Sequence, residues 1–166
     1  MPTFHRNLLL LPFFLSVLTA SGQDDDKMIR QKVLKADTVD SLFVFGKWSE
    51  KGSTETHLKY LGQLTTTQGK ILKVMTSIWF WGLSHRATSR ILIFNENNQY
   101  LGNYNVGIVC NVPDQLVNGK LIFNPSKYGT CDRKAKEVIS FQHGLPRQFF
   151  LKVQGNYGDI ISFSGE

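Results

Sequence analysis

Residues 71–81 read Ile71-Leu72-Lys73-Val74-Met75-Thr76-Ser77-Ile78-Trp79-Phe80-Trp81, and this run decides the fold class. Successive side chains on an extended strand point to opposite faces, so Trp79 and Trp81 share one side while Ile78 and Phe80 share the other. Both sides are apolar, which is the pattern of a central strand covered on each face. The uncharged stretch that overlaps it, Val74 to His85, is too short for a membrane-spanning helix, which needs roughly 20 residues.

Moving outward from this strand, the same vocabulary repeats. Segments rich in Val, Ile, Thr, Phe, Tyr and Trp suit a pleated, half-buried surface. They predict strands at Leu42–Lys47, Thr56–Thr65, Ile71–Trp81, Ser89–Phe94, Tyr100–Val109, Lys120–Phe123, Val138–Phe141, Gln148–Val153 and Asp159–Phe163. From Gly46 onward glycines recur about every ten residues, the interval of turns in sandwiches and barrels. Gln68-Gly69 separates two strands tightly, and Asn118-Gly119 is a type I′ hairpin signal. Asn95-Glu96-Asn97-Asn98 reads as a polar hairpin tip, and His143-Gly144 followed by Pro146 as a further turn.

Long helical periodicity is absent after Ser41. Strands that follow one another without crossover helices pair antiparallel. The expected fold is all-β: residues 41–166 form a single antiparallel β-sandwich or closed β-barrel. Residues 23–40 form an N-terminal segment, in which Met28–Ala36 suits a short helix, with Ile29 and Val33 on one face, or a first strand. Before it, Gln23-Asp24-Asp25-Asp26-Lys27 is expected to be a solvated, flexible start.

The first 22 residues have the layout of a secretory signal peptide. Arg6 lies in a short head, Leu8–Leu18 is an apolar run, and Ala20 and Gly22 supply small residues for cleavage near Gly22. The expected mature protein is secreted or periplasmic, with no integral membrane segment. No Asn-x-Ser/Thr acceptor occurs, because Asn124-Pro125-Ser126 is blocked by its proline.

The 166 residues are 42% hydrophobic, 12% aromatic and 19% charged, which excludes a disordered chain, and they include only 2 cysteines, which excludes a disulfide-dense miniature scaffold. In an oxidising compartment Cys110 and Cys131 are expected to pair. Their spacing is far from that of a redox motif, so the pair reads as a structural staple. The formal net charge of +6 is dispersed along the chain, so nucleic acid is not an expected partner. The one basic cluster, Lys127, Arg133, Lys134 and Lys136, is diluted by Asp132 and Glu137 and suits a solvated loop or an anionic polymer.

Two stretches suit recognition. In Ser77–Arg86, Trp79 and Trp81 offer stacking area with His85 and Arg86 at the rim; an indole combines a large apolar face with one donor. Core packing is the ordinary role of such residues, but if one patch binds a ligand, it is this one. In Asn97–Asn105, Tyr100 and Tyr104 are predicted to share a strand face among side-chain amides. Ordinary cross-strand contacts within a hairpin are the plainer alternative.

Enzyme templates fail. His57, His85 and His143 lack metal-ligand spacing, and neither a nucleophile elbow nor a phosphate-binding glycine pattern occurs. No catalytic residue, metal or cofactor is nominated. The expected function is an exported, non-catalytic recognition module for a cell-envelope component, such as an envelope glycan, or a partner protein. Trp79, Trp81, Arg86, Tyr100 and Tyr104 are its candidate ligand-binding residues. The alternatives are a small envelope hydrolase with His85 or His143 as general base, and a structural or assembly subunit with exposed edge strands.

Overall fold

The computed structural model describes residues 21–124, 131, 136–154 and 157–165. Residues 1–20, most of the expected signal peptide, and Lys127, Arg133 and Lys134 of the basic cluster lie outside them; Lys136 is exposed.

The chain opens with α1, Ser21–Ala36. The acidic run expected to be flexible therefore belongs to a helix. Carboxylates in the first turns are favoured by the helix dipole, and Asp26 accepts a 2.8 Å hydrogen bond from Arg30 one turn later. The helix stops before Asp37, which takes a left-handed φ of +48°. Ten strands follow: β1 Leu42–Gly46, β2 Glu55–Thr65, β3 Ile71–Trp81, β4 Arg86–Asn95, β5 Tyr100–Gly107, β6 Gln115–Val117, β7 Lys120–Phe123, β8 Glu137–Ser140, β9 Gln148–Gln154 and β10 Tyr157–Gly165. Only β6 was not foreseen, because three residues carry no readable alternation.

Every strand pair is antiparallel. Seven strands form one sheet in the order β1-β2-β3-β4-β5-β10-β9, and β6-β7-β8 form a second, three-stranded sheet. Because β1 and β9 are not paired with each other, the large sheet stays open, which removes the closed-barrel alternative. The arrangement is sandwich-like, with α1 as an additional layer.

Central β3 has a different cover on each face. Leu72, Val74 and Ile78 join Ile91, Ile93, Tyr104, Leu121, Phe123 and Phe141 in the main core, which draws on both sheets. Met75 lies in a second core with Leu58, Tyr60, Leu92 and Phe94, and α1 closes it with Val33 and Leu34. Burying these apolar groups supplies the driving force, at roughly 25 cal/mol for each Å² removed from water.

The turns follow the sequence signals. Asn118 and Gly119 both take positive φ, +50° and +70°, as a type I′ hairpin requires. At the β4–β5 tip, Asn95 Oδ1 accepts the backbone N–H groups of Asn97 and Gln99, at 3.0 and 2.9 Å. Cys110 and Cys131 form a disulfide with a Cα–Cα distance of 5.8 Å.

One expectation about β5 is corrected. Tyr100 and Tyr104 do not share a face. The register shifts between Ile93 and Phe94, so that Ile93 pairs with Gly102 and Phe94 with Tyr100. This extra residue turns Tyr100 towards α1. Tyr104 instead enters the main core, fully buried, where its hydroxyl donates to the Pro146 carbonyl at 2.7 Å. Burial pushes the Tyr104 phenol well above its ordinary pKa, consistent with a structural group kept neutral.

Candidate functional site

Cross-strand pairing gathers the candidate site on the helix-covered face. Thr56 pairs with Trp79, Trp79 with Thr88, and Ser77 with Arg90. Directly paired residues project to the same side. The register therefore sets Thr56, Ser77, Trp79, Thr88 and Arg90 side by side, beyond the apolar patch that Val33 and Leu34 cover. Where the first turns of α1 pass over this end, a cleft of about 480 Å³ remains. Asp25, Asp26 and Ile29 form its helical wall, Phe45 flanks it from β1, and Thr56, Ser77, Trp79 and Arg90 line the sheet side.

The hydrogen-bond pattern separates the three tryptophans. Trp48 Nε1 donates to the Gly82 carbonyl at 2.8 Å, and Trp81 Nε1 donates to Thr88 Oγ1 at 3.0 Å. Trp79 Nε1 has no acceptor among the described residues. Trp81 is also engaged through its ring: it stacks on Trp79 with centroids 5.7 Å apart, and the Arg86 guanidinium lies 5.8 Å from its centre. Trp81 and Arg86 thus buttress Trp79, which remains 37% exposed and lines the cleft.

Two further polar groups at the cleft are unused. Ser77 is 5% exposed, yet its hydroxyl makes no hydrogen bond among the described residues. The half-buried guanidinium of Arg90 likewise has neither hydrogen bond nor ion pair among them. Neither group is among the buried atoms left without a partner, so both reach solvent in the cleft and are free to exchange water for a ligand. Asp26 is satisfied by Arg30, whereas Asp25 has no described partner. The cleft therefore presents an indole edge and face, a guanidinium, a hydroxyl and a carboxylate, all available to something outside the chain.

Tyr100 is not part of this cluster. It shares the helix-covered face, but the β4 partners of Trp79 and Tyr100, Thr88 and Phe94, lie about 20 Å apart along the strand. Arg30 of α1 sits 5.4 Å from its ring centre, and its hydroxyl accepts from Asn103 at 2.8 Å. Asn95 and Asn105 likewise spend side-chain oxygens on their own turns. The structure brings Trp79, Trp81 and Arg86 together and leaves Tyr100 and Tyr104 elsewhere.

The opposite face at the same end carries a second polar cluster. Glu55 Oε1 lies 2.5 Å from His57 Nε2, and Glu55 Oε2 accepts the backbone N–H of Trp48 at 3.1 Å. The bond with His57, followed by that with Trp48, holds the Glu55 carboxyl below its ordinary pKa. His85, at the β3–β4 tip with φ +50°, lies against Trp48 and Phe80 with ring centroids 4.3 and 4.7 Å away. His143 is exposed, with Nδ1 3.5 Å from the Thr67 hydroxyl. Neither His85 nor His143 makes a hydrogen bond or ion pair with a carboxylate among the described residues; that geometry belongs to His57. No group of three or more His, Cys, Asp and Glu side chains among the described residues is arranged to hold a metal ion. No helix among them is long and apolar enough to cross a membrane.

Sequence reasoning missed Arg90 and Ser77. The signal for Arg90 was present: on the strand 89–94 it alternates with Leu92 and Phe94, a single cation on an otherwise apolar face. Ser77 carried no comparable signal, since its role depends on where α1 ends over the sheet. Comparison with known protein families, with curated proteins and with solved structures gave no significant match to this chain.

Proposed function

We propose that this chain is an exported, non-catalytic recognition module that holds a cell-envelope component or a partner protein at the Trp79 cleft. One observation carries the reading: Trp79, Arg90 and Ser77 each have unmet hydrogen-bonding capacity, and all three line the same cleft. A ligand that supplies their partners gains those bonds without breaking any internal ones. Trp81, itself held by Thr88 and Arg86, stacks on Trp79, a contact that favours a preorganised aromatic wall and so a lower ordering cost of binding. The disulfide supports export, since such bonds persist in oxidising compartments.

A second reading, a structural or assembly subunit, is favoured by the edges of the large sheet. Leu42 and Val44 are exposed on edge strand β1; Phe150 on edge strand β9 and Ile160 and Tyr157 on β10 beside it are exposed as well. Open apolar edges are templates for pairing with another chain.

Affinity enrichment separates the two. The oxidised mature protein is immobilised and exposed to native envelope extract, and retained glycans and proteins are identified. Recognition at the cleft predicts a component whose retention is lost in Trp79→Ala and Arg90→Gln but kept in Ile160→Ser. Retention lost only in Ile160→Ser transfers the function to the exposed face of β9 and β10.

A further inference from the structure

We infer that the ligand of the cleft is a neutral, polyhydroxylated ring, a pyranose of a glycan, stacked on Trp79 and held at its rim by Arg90, Ser77 and Asp25. The inference rests on the recognition reading above and adds to it the chemical class of the ligand. It starts from the groups left unmet in one place. They comprise donors at Trp79 Nε1 and Arg90, an acceptor at Asp25, and a hydroxyl of either sense at Ser77.

The mixed charge of the lining argues against the simpler ligands. An anion matched to Arg90 would face Asp25, whose carboxylate has no cation against it among the described residues. A cation matched to Asp25 would face the guanidinium of Arg90. An acyl chain would cover Trp79 and Phe45 but would leave Arg90 and Ser77 desolvated and unpaired, a cost that grows with burial.

A sugar ring meets each demand at once. Its hydroxyls both donate and accept, so one edge can donate to a carboxylate while another receives the planar fork of an arginine. Its C–H face is apolar and suits an indole. Thr56, beside Trp79, adds a further hydroxyl to the same wall. The volume of about 480 Å³ falls within the range of small-ligand sites.

The carboxylate of Asp25 comes from α1 and the remaining groups from the sheet, so the site exists only with α1 docked. Ligand binding and helix docking are therefore linked: a ligand that bridges Asp25 and Arg90 holds α1 down. This predicts that amides of the first turns of α1 exchange more slowly with solvent when the ligand is bound.

The test is a titration of the oxidised mature protein, followed by the NMR signals of the tryptophan indole N–H and arginine Nε–H groups. The probes are neutral oligosaccharides of glucose, mannose, galactose and N-acetylglucosamine, methyl glucoside as a free sugar, inorganic phosphate, and decanoate. The expected result is that at least one neutral saccharide shifts the Trp79 and Arg90 signals and leaves Trp48 in place. Arg90→Gln is expected to weaken it by about tenfold, the value of one hydrogen bond to a charged group. The wild-type titration needs no variant, and the spectrum of Arg90→Gln checks that it is folded. Tighter binding of the oligosaccharide than of methyl glucoside supports a chain segment as ligand, and equal binding supports a single ring. If only phosphate or decanoate shifts the two signals, the sugar inference is overturned. If no probe does, yet envelope extract yields a component retained through Trp79, the ligand class is wrong and the recognition reading stands. If neither occurs, both fall.

Discussion

Gly102 on β5 lies against Ser164 on β10 so closely that a Cβ on Gly102 would sit 2.3 Å from the Ser164 carbonyl oxygen. Gly102 also takes φ +143°, a conformation that side-chain-bearing residues avoid. It lies at the register shift that sends Tyr100 towards α1 and Tyr104 into the main core. Gly102→Ala is expected to lower unfolding free energy by about 2–3 kcal/mol, through backbone overlap and strain together. Urea denaturation checks this; a loss no larger than that of an ordinary surface glycine would contradict the account.

The hydroxyl of Ser89 is buried with no hydrogen-bond partner among the described residues, whereas the buried hydroxyl of Tyr104 has one. The two should respond oppositely to deletion. Ser89→Ala removes an uncompensated polar group and is expected to be neutral or stabilising by up to about 1 kcal/mol. Tyr104→Phe strips the Pro146 carbonyl of its donor and is expected to cost about 1 kcal/mol. Thermal unfolding of the pair of variants reads the contrast directly.

Cys110 and Cys131 close a loop that contains the β6–β7 hairpin. Replacing both with serine is expected to cost about 3 kcal/mol, mainly by releasing conformational freedom in the unfolded chain. A change under 1 kcal/mol would show that the loop is held by its packing alone.

Acid should weaken the fold in part through Glu55. Its carboxyl is held below the ordinary value of 4.5, first by the hydrogen bond with His57 and then by the backbone N–H of Trp48. A depressed folded-state pKa means that stability is present in full above the ordinary value and is lost as pH falls through the lower folded value. The wild-type urea midpoint is expected to drop as pH falls below 4.5. Glu55→Gln should show a shallower drop over the same range, and a lower midpoint at neutral pH. Parallel curves for the two proteins would remove Glu55 from the acid response.

Much of this fold was legible in the chain because its signals are local. The run Ile71–Trp81 has the same bounds as β3, and Lys120–Phe123 the same bounds as β7, since alternation and turn residues mark both ends. The pairing of Cys110 with Cys131 followed from there being no other cysteine. The face assignment of Tyr104 was not legible, because a one-residue shift at Gly102 inverts parity and leaves no mark in composition. The length of α1 was under-read, because Asp24–Asp26 scores as coil until the dipole and the Arg30 partner are considered. Of the candidate site, Trp79, Trp81 and Arg86 could be named from one strand and its hairpin. Arg90, Ser77 and Asp25 could not, since their grouping depends on how α1 crosses the sheet.

Of the three tryptophans, Trp79 alone is the one we propose to meet the ligand. The indole N–H signals of the three tryptophans test it, recorded with and without the envelope component that the protein retains. Trp48 and Trp81 already donate within the chain, to Gly82 and Thr88, while Trp79 donates to none of the described residues. The account predicts a large shift and slowed solvent exchange for the Trp79 indole, with Trp48 unchanged and Trp81 moved only slightly through its stacking. A retained component that leaves the Trp79 signal in place would contradict it.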